Sequence, residues 1–363
     1  MASNLGLLFP LLLQLATLMQ FLTVIVTSQQ PQVPCFFIFG DSLVDNGNNN
    51  RLVTQAKANY SPYGVDFPQI PTGRFTNGLN SADYIAQFLG FTTFIQPYPN
   101  ATNEEIVRGV NYGSGAAGIL EESGSRLGDR ISLSQQLVRH ATIVARIKLL
   151  QRNITFTNEY LKRCIYTVNM GSNDYINNYF MPNDYTSSRI YTPDQYATLL
   201  IRRYSLQLRT LYNLGARKIA VFGLGLIGCT PYEIAMFGTN GQPCVESINN
   251  AVKLFNDKLK PLIDDLNNDF IDGSFTYINI TSISTPQEGA VAPPNVPCCS
   301  QLRPDGQCVP NSTPCPNRDL FIWFDGFHPT EVANRVLASR SYKEVSPMDT
   351  DPYDISQLAQ ISI

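Results

Sequence analysis

The sequence predicts an α/β fold in which helices cover both faces of a central parallel sheet. Short apolar runs rich in β-branched and aromatic residues recur at the length of buried strands. These four runs are residues 35–39, 164–168, 218–222 and 275–279. Longer segments between them repeat apolar residues every three or four positions, as amphipathic helices do. These three segments are residues 131–152, 193–214 and 246–269. Such alternation along a chain is typical of a parallel sheet covered by helices.

The first 28 residues are predicted to be a secretory signal peptide, followed by a single domain over residues 29–363. Residues 5–26 are almost wholly apolar and uncharged, and a short polar stretch follows them. A membrane anchor is the alternative, because the run is long enough to span a bilayer and no Lys or Arg precedes it. Pro10, Gln14 and Gln20 disfavour a stable span. No second run of this kind follows, so we expect a secreted, extracellular protein without a membrane span after signal cleavage.

The composition indicates a globular protein and disfavours a nucleic-acid partner. Of the 363 residues, 44% are hydrophobic and 15% are charged, which suffices for a large core. The formal net charge is -3 and no Lys/Arg run occurs, so the chain has no surplus positive charge for a phosphate backbone.

Eight cysteines lie downstream of the predicted cleavage point, and an even number in an oxidising compartment favours disulfides. They are Cys35, Cys164, Cys229, Cys244, Cys298, Cys299, Cys308 and Cys315. A zinc site built from the last four is the alternative, but these cysteines lack paired C-x-x-C spacing and a neighbouring His. The sequence leaves the disulfide pairing open. It predicts that residues 286–317, rich in Pro and Cys, form one disulfide-pinned excursion.

Five acceptor triplets for N-glycosylation agree with secretion. Each is an Asn followed two residues later by Ser or Thr, with no Pro between them. The acceptors are Asn59, Asn100, Asn153, Asn279 and Asn311.

A serine directly after the first predicted strand has the position of a nucleophile. Gly40, Asp41 and Ser42 open a loop rich in Gly and Asn, which tolerate the tight backbone of a strand end. Ligands of open parallel sheets bind beyond the carboxyl ends of the strands. The alternative is that Asp41 and Ser42 only cap the segment that follows.

A serine nucleophile needs a histidine base, and the chain has two histidines. His140 lies inside a helical pattern with no neighbouring Asp, which favours a structural or surface role. His328 lies three residues after Asp325, so one turn brings the carboxylate to the imidazole. The alternative for this second segment is a helix start capped by Asp325, with Pro329 in the first turn.

Acyl transfer also needs hydrogen-bond donors for the oxyanion of the tetrahedral intermediate, and two loops offer them. Asn173 lies just after the second predicted strand, where its side-chain amide is a donor. The glycine-rich residues 111–118 offer backbone N–H groups.

Two other motifs are disfavoured. Residues 223–228 spell G-x-G-x-x-G after a strand, as in dinucleotide sites, but Pro231 follows closely and no well-placed acid is evident. No G-x-S-x-G occurs, so a hydrolase of the nucleophile-elbow type is not supported.

Together, these motifs resemble those of the GDSL esterase/lipase family, the SGNH hydrolases, and most closely its plant branch. Four blocks match in order, namely residues 39–45, 109–115, 171–174 and 325–330. The resemblance implies a flavodoxin-like three-layer sandwich around a parallel sheet of about five strands, the SGNH hydrolase fold.

The resemblance also implies roles for the site residues. Ser42 is the nucleophile, His328 the base and later acid, and Asp325 the residue that orients His328. The implied oxyanion hole combines the Ser42 N–H, the Asn173 side chain and a glycine N–H, which we assign to Gly115. No metal or organic cofactor is implied.

The implied activity is hydrolysis of carboxylic esters through an acyl-enzyme on Ser42. The expected substrates are esters of lipid, cutin or acetylated-carbohydrate type. One alternative is acyl transfer to an alcohol by the same site. Another is a secreted binding glycoprotein that keeps the fold without turnover, although such a protein has no need of an intact set of site residues.

Overall fold

Four parallel strands and one short antiparallel strand form one sheet in the computed structural model, which describes residues 30–67, 71–285 and 295–362. In spatial order the strands are β1 (Phe36–Gly40), β2 (Ile165–Asn169), β3 (Lys218–Phe222), β4 (Ser274–Ile278) and β5 (Thr350–Asp351). The four parallel strands match the four predicted runs to within one residue, which confirms those predictions. The antiparallel β5 was not predicted, because two residues are too few for a hydrophobic pattern.

Residues 108–114 run parallel to β1 and form backbone hydrogen bonds with its outer edge, although they do not form a regular strand. The N–H groups of Phe36 and Ile38 donate to the carbonyls of Arg108 and Val110. Beyond them, the Tyr112 N–H donates to the Ile38 carbonyl. The chain thus leaves β1 toward one side, returns along 108–114, and then crosses to β2 on the other side. Such a reversal of strand order creates a ligand-binding crevice at the carboxyl end of the strand where the order reverses, here β1.

Twelve α-helices lie within the described ranges. They are α1 (Ser81–Phe88), α2 (Asn103–Ile106), α3 (Leu133–Gln151), α4 (Ile154–Lys162), α5 (Ser172–Asp174), α6 (Ser187–Ile190), α7 (Pro193–Asn213), α8 (Pro231–Phe237), α9 (Glu246–Asp269), α10 (Ile280–Ser284), α11 (Glu331–Tyr342) and α12 (Ile355–Gln360). The three predicted helices correspond to α3, α7 and α9, with ends that differ by at most two residues.

Two apolar cores lie on the two faces of the sheet, because successive side chains of a strand point to opposite sides. Phe37 and Phe39 of β1 pack with α3, α7 and α9 in the larger core. Phe36 and Ile38 of the same strand pack with α1, α11 and α12 in the smaller one. This confirms the predicted three-layer α/β sandwich with helices on both faces. All three long predicted helices share one face, whereas the helices on the other face are shorter.

Local sequence signals explain where several helices begin. Thr192 accepts a hydrogen bond from the Gln195 N–H, the Gln195 side chain bonds back to the Thr192 backbone, and Pro193 occupies the first turn of α7. Thr330 accepts from the Ala333 N–H at the start of α11. The predicted alternative in which Asp325 caps this helix is therefore wrong, because the cap lies five residues later.

All eight cysteines form disulfides. The pairs are Cys35–Cys164, Cys229–Cys244, Cys298–Cys315 and Cys299–Cys308. The first pair joins the residues that precede β1 and β2. The zinc alternative for the last four cysteines is wrong, because their thiols are consumed in two nested disulfides. These two bonds pin residues 298–315, in the described part of the predicted excursion.

The predicted signal peptide, residues 1–28, lies outside the described residues, as does 286–294 of the excursion. Within the described ranges, no helix combines the length and apolar character that a bilayer crossing requires.

Candidate active site

The predicted nucleophile lies in a tight turn at the carboxyl end of β1. A Cβ atom on Gly40 would lie 2.6 Å from Val44 Cγ2 and 2.7 Å from the Asn169 carbonyl oxygen, so only glycine fits where β1 and β2 end together. Asp41 accepts hydrogen bonds from the N–H groups of Leu43, through its side chain, and Val44, through its carbonyl. Asp41 therefore caps this turn, as the capping alternative proposed, whereas the Ser42 hydroxyl contacts His328.

Ser42, His328 and Asp325 form a continuous hydrogen-bonded chain. The Ser42 Oγ lies 2.8 Å from His328 Nε2. His328 Nδ1 lies 2.7 Å and 2.9 Å from the two carboxylate oxygens of Asp325. Because a carboxylate only accepts, Nδ1 carries the proton and Nε2 is free to accept the serine proton. The structure therefore brings together the three residues that the sequence singled out, in the order that general-base activation of a serine requires.

The Asp325 carboxylate is fully buried and receives further donors. Its Oδ1 accepts from the N–H groups of Phe327 and His328, both at 2.8 Å. Its Oδ2 accepts from the hydroxyl of Tyr63, which is itself fully buried. Tyr63 is not among the site residues predicted from the sequence, because it lies 262 residues from Asp325 in a loop without a motif.

The cysteine-rich excursion packs against the loop that carries Asp325 and His328. The Cys299 N–H donates to the Phe324 carbonyl, and the Gly326 N–H donates to the Gly306 carbonyl. The Cys308 N–H donates to the Tyr63 hydroxyl at 3.1 Å, so that hydroxyl both accepts from the excursion and donates to Asp325. The Cys299–Cys308 disulfide closes the segment that makes these contacts.

Asn173 lies in the short helix α5 that follows β2, and it lines the same cavity as Ser42. Its Oδ1 accepts from Asn177 Nδ2 at 2.7 Å, and its Nδ2 donates to the Ala117 carbonyl at 3.0 Å. The other contact of Nδ2, to Asp41 Oδ2, is long at 3.4 Å. One N–H of the amide is thus held by the protein and the other is weakly engaged. Burial raises the pKa of Asp41 to about 7.

The backbone N–H of Gly115, which the sequence analysis assigned to the oxyanion hole, is engaged by a carboxylate. It donates to Asp45 Oδ2 at 3.0 Å, while Asp45 Oδ1 accepts from Gly47 and Asn48. Burial raises the pKa of Asp45 to about 6. The next residue, Ala116, lines the cavity, and no acceptor for its N–H occurs among the described residues.

Ala116 has a φ of 65°, in the left-handed region that favours glycine. This conformation costs a residue with a Cβ about 1 kcal/mol. Backbone strain of this kind is concentrated at functional sites, where the surrounding structure holds it in place.

His140 is fully buried in the core, on the face of β1 that carries Phe37 and Phe39. Its ring packs edge-on against Phe37, Phe39 and Tyr166, with centroid distances of 4.8, 5.4 and 5.7 Å. Its Nδ1 lies 3.0 Å from the Tyr112 hydroxyl, and burial lowers the pKa of its imidazole to about 3. His140 is therefore a neutral core residue, as the structural alternative predicted.

A cavity of about 1190 Å³ opens beside Ser42 and His328, at the carboxyl ends of the strands. Loops after β1, β2, β3 and β4 contribute to it, as expected for an open parallel sheet. Its wall includes large apolar side chains, among them Phe180, Met181, Met236, Phe237, Trp323 and Leu337. The G-x-G-x-x-G stretch contributes Gly225 and Leu226 to this wall. The arrangement offers a serine–histidine–aspartate chain at the edge of a space large enough for an acyl chain.

The predicted glycosylation acceptors differ in exposure. The side chains of Asn59, Asn100, Asn153 and Asn311 are exposed. Asn279 is half-buried, and its Nδ2, the atom that would carry a glycan, donates to the Met348 carbonyl at 3.0 Å.

Comparison with known proteins agrees with this geometry. The family model described as GDSL-like Lipase/Acylhydrolase matches residues 36–341. GDSL esterase/lipase At1g29670 of Arabidopsis thaliana is 49% identical over 93% of this chain and 95% of its own length. GDSL esterase/lipase At1g29660 of the same plant is 50% identical over 92% and 93%. GDSL esterase/lipase At4g18970, also of that plant, is 48% identical over 91% and 94%.

Proposed function

The chain belongs to the GDSL-like lipase/acylhydrolase family and is a carboxylic ester hydrolase, and we propose that it cleaves its substrate through an acyl-enzyme on Ser42. The observation that carries this proposal is the 2.8 Å contact between Ser42 Oγ and His328 Nε2. Asp325 holds the other ring nitrogen in the tautomer that leaves Nε2 unprotonated.

In the first half-reaction, Ser42 Oγ attacks the ester carbonyl carbon while His328 Nε2 takes the serine proton. The Asp325 carboxylate stabilises the imidazolium that forms. As the tetrahedral intermediate collapses, the C–O bond to the alcohol breaks and Nε2 gives its proton to the leaving oxygen. Water then attacks the carbonyl carbon of the acyl-serine while Nε2 takes a proton from the water. As this second intermediate collapses, the C–O bond to Ser42 breaks, Nε2 returns the proton to Ser42 Oγ, and the acid is released.

The oxyanion receives three donors in this proposal. The Ser42 N–H and the weakly engaged N–H of Asn173 supply two of them. For the third we propose the Ala116 N–H instead of the Gly115 N–H, because the latter is already bonded to Asp45. Each well-placed donor stabilises the transition state by about 3 kcal/mol.

We further propose that the protein is secreted and acts on lipid-type esters. Four disulfides support an oxidising compartment. The apolar wall of the cavity favours an acyl chain over an acetyl group on a carbohydrate, because a short acetyl group would leave that wall in contact with water.

The test compares wild type with Ser42→Ala on p-nitrophenyl acetate and butyrate, together with labelling by a fluorophosphonate. We expect kcat to fall by at least about 10³-fold in the variant, since the serine carries the covalent step. We also expect peptide mass spectrometry of the labelled wild type to place the adduct on Ser42.

Ser356→Ala is the matched control, because Ser356 lies on α12 outside the cavity and its hydroxyl bonds Asp354 instead of a histidine. It should retain both activity and labelling. Equal rates in wild type and Ser42→Ala, or no hydrolysis by a correctly folded wild type, would overturn the acyl-enzyme proposal.

A further inference from the structure

A buried carboxyl group that the proposed mechanism does not use lies in the wall of the cavity. Glu233 is the third residue of α8, and its N–H donates to the Thr230 hydroxyl that caps this helix. Although Glu233 is only 2% exposed, it is one of the residues that line the cavity. Its carboxyl group therefore faces the cavity interior or the protein, and not bulk water.

This carboxyl group has no hydrogen-bond partner among the residues that the structure describes. No described residue forms a hydrogen bond with its Oε2, and none forms an ion pair with the group. Burial raises the pKa of Glu233 to about 8, so the group is neutral at pH 7 and is able both to donate and to accept. A buried carboxyl group without a bond is costly to the fold, which points to a ligand as its missing partner.

Glu233 directly follows a residue that packs against the loop carrying His328. The neighbouring Tyr232 N–H donates to the Gly326 carbonyl at 3.0 Å, and the Tyr232 ring packs on Phe327 at 4.5 Å between centroids. Helix α8 therefore begins against the loop that carries His328. Because His328 protonates the leaving oxygen, the alcohol portion of an ester must lie next to this loop.

We propose that Glu233 binds a free hydroxyl group on the alcohol portion of the substrate, so that partial esters of a polyhydric alcohol such as glycerol are the preferred substrates. This inference rests on the proposed ester hydrolysis at Ser42. A neutral carboxyl group and a hydroxyl group each donate and accept, so the two can form a paired contact. A simple alkyl ester lacks that hydroxyl and leaves the carboxyl group unpaired, and a site built around a hydroxyl discriminates strongly against such an analogue.

The experiment measures kcat/KM for two esters of the same acid, monobutyrin and ethyl butyrate. The variants are Glu233→Leu, which removes the polar group, and Glu233→Gln, which keeps a donor and an acceptor at the same size. Glu246→Leu is the matched control, since Glu246 is an exposed carboxylate in the first turn of α9 and does not line the cavity.

We expect Glu233→Leu to lower kcat/KM for monobutyrin by about 10- to 100-fold while ethyl butyrate changes by less than about threefold. Glu233→Gln should keep monobutyrin within about fivefold of wild type, and Glu246→Leu should change neither substrate.

An equal loss on both esters in Glu233→Leu would assign Glu233 a structural role and overturn the inference. Unchanged monobutyrin hydrolysis would overturn it as well. These outcomes differ from failure of the proposed function, in which correctly folded wild type hydrolyses neither ester or Ser42→Ala hydrolyses both as fast as wild type.

Discussion

Replacement of Tyr63 by Phe tests whether the buried tyrosine positions the Asp325 carboxylate. The substitution removes one hydroxyl, which donates to Asp325 Oδ2 and accepts from the Cys308 N–H. The phenylalanine ring of the variant fills the same space between Phe75 and Phe324 as the tyrosine ring of wild type. The change therefore deletes two hydrogen bonds and leaves the packing of the ring in place.

The contacts of Asp325 set the expected size of the effect. A hydrogen bond to a charged group contributes about 1.5–3 kcal/mol, and each 1.36 kcal/mol corresponds to about tenfold in rate. Three other donors still hold the carboxylate, namely Nδ1 of His328 and the N–H groups of Phe327 and His328. We therefore expect the lower end of this range, a fall of about tenfold in kcat with KM nearly unchanged.

Tyr60→Phe is the matched control. Tyr60 packs edge-on against Tyr63 at 5.2 Å, but its hydroxyl donates to the Cys308 carbonyl and has no contact with Asp325. Steady-state hydrolysis of p-nitrophenyl butyrate and urea unfolding should be measured for both variants. Both should lose about 1 kcal/mol or more of stability, whereas only Tyr63→Phe should lose kcat. Wild-type kcat in Tyr63→Phe, or the same fall in both variants, would refute a positioning role for Tyr63.

Two further predictions concern stability. The double variant Cys35→Ser, Cys164→Ser removes the disulfide that closes a loop of 129 residues. The chain-entropy model predicts that its free energy of unfolding, measured in urea, is lower than that of wild type by about 5 kcal/mol. A loss below about 1 kcal/mol would contradict the role of this bond as a stabilising link between β1 and β2. Glu233→Gln should become progressively more stable than wild type as pH rises from 5 to 8, because burial raises the pKa of Glu233 from 4.5 to about 8 and the folded state resists losing that proton. The gain should approach about 4 kcal/mol at pH 8 and vanish below pH 4.5, whereas a stability difference independent of pH would contradict a buried, unpaired carboxyl group.

The sequence by itself determined the features of this protein that depend on neighbouring residues. Buried parallel strands need continuous apolar runs, and long helices need apolar residues at three- or four-residue spacing, so both periodicities are visible in the chain. The three-residue spacing between Asp325 and His328 likewise predicts that one turn brings the two side chains together, as the structure shows.

Only the tertiary structure decided the features that join distant segments. Tyr63 reaches Asp325 across 262 residues, and the burial of Glu233 is visible only in the folded chain. The pairing of eight cysteines and the position of residues 108–114 beside β1 also depend on how separate elements meet. Our proposal of Ala116 instead of Gly115 as an oxyanion donor rests on a single hydrogen bond, from the Gly115 N–H to Asp45. Local patterns encode which face of an element is buried, whereas a contact between distant segments exists only after the chain has packed, so no spacing along the sequence records it.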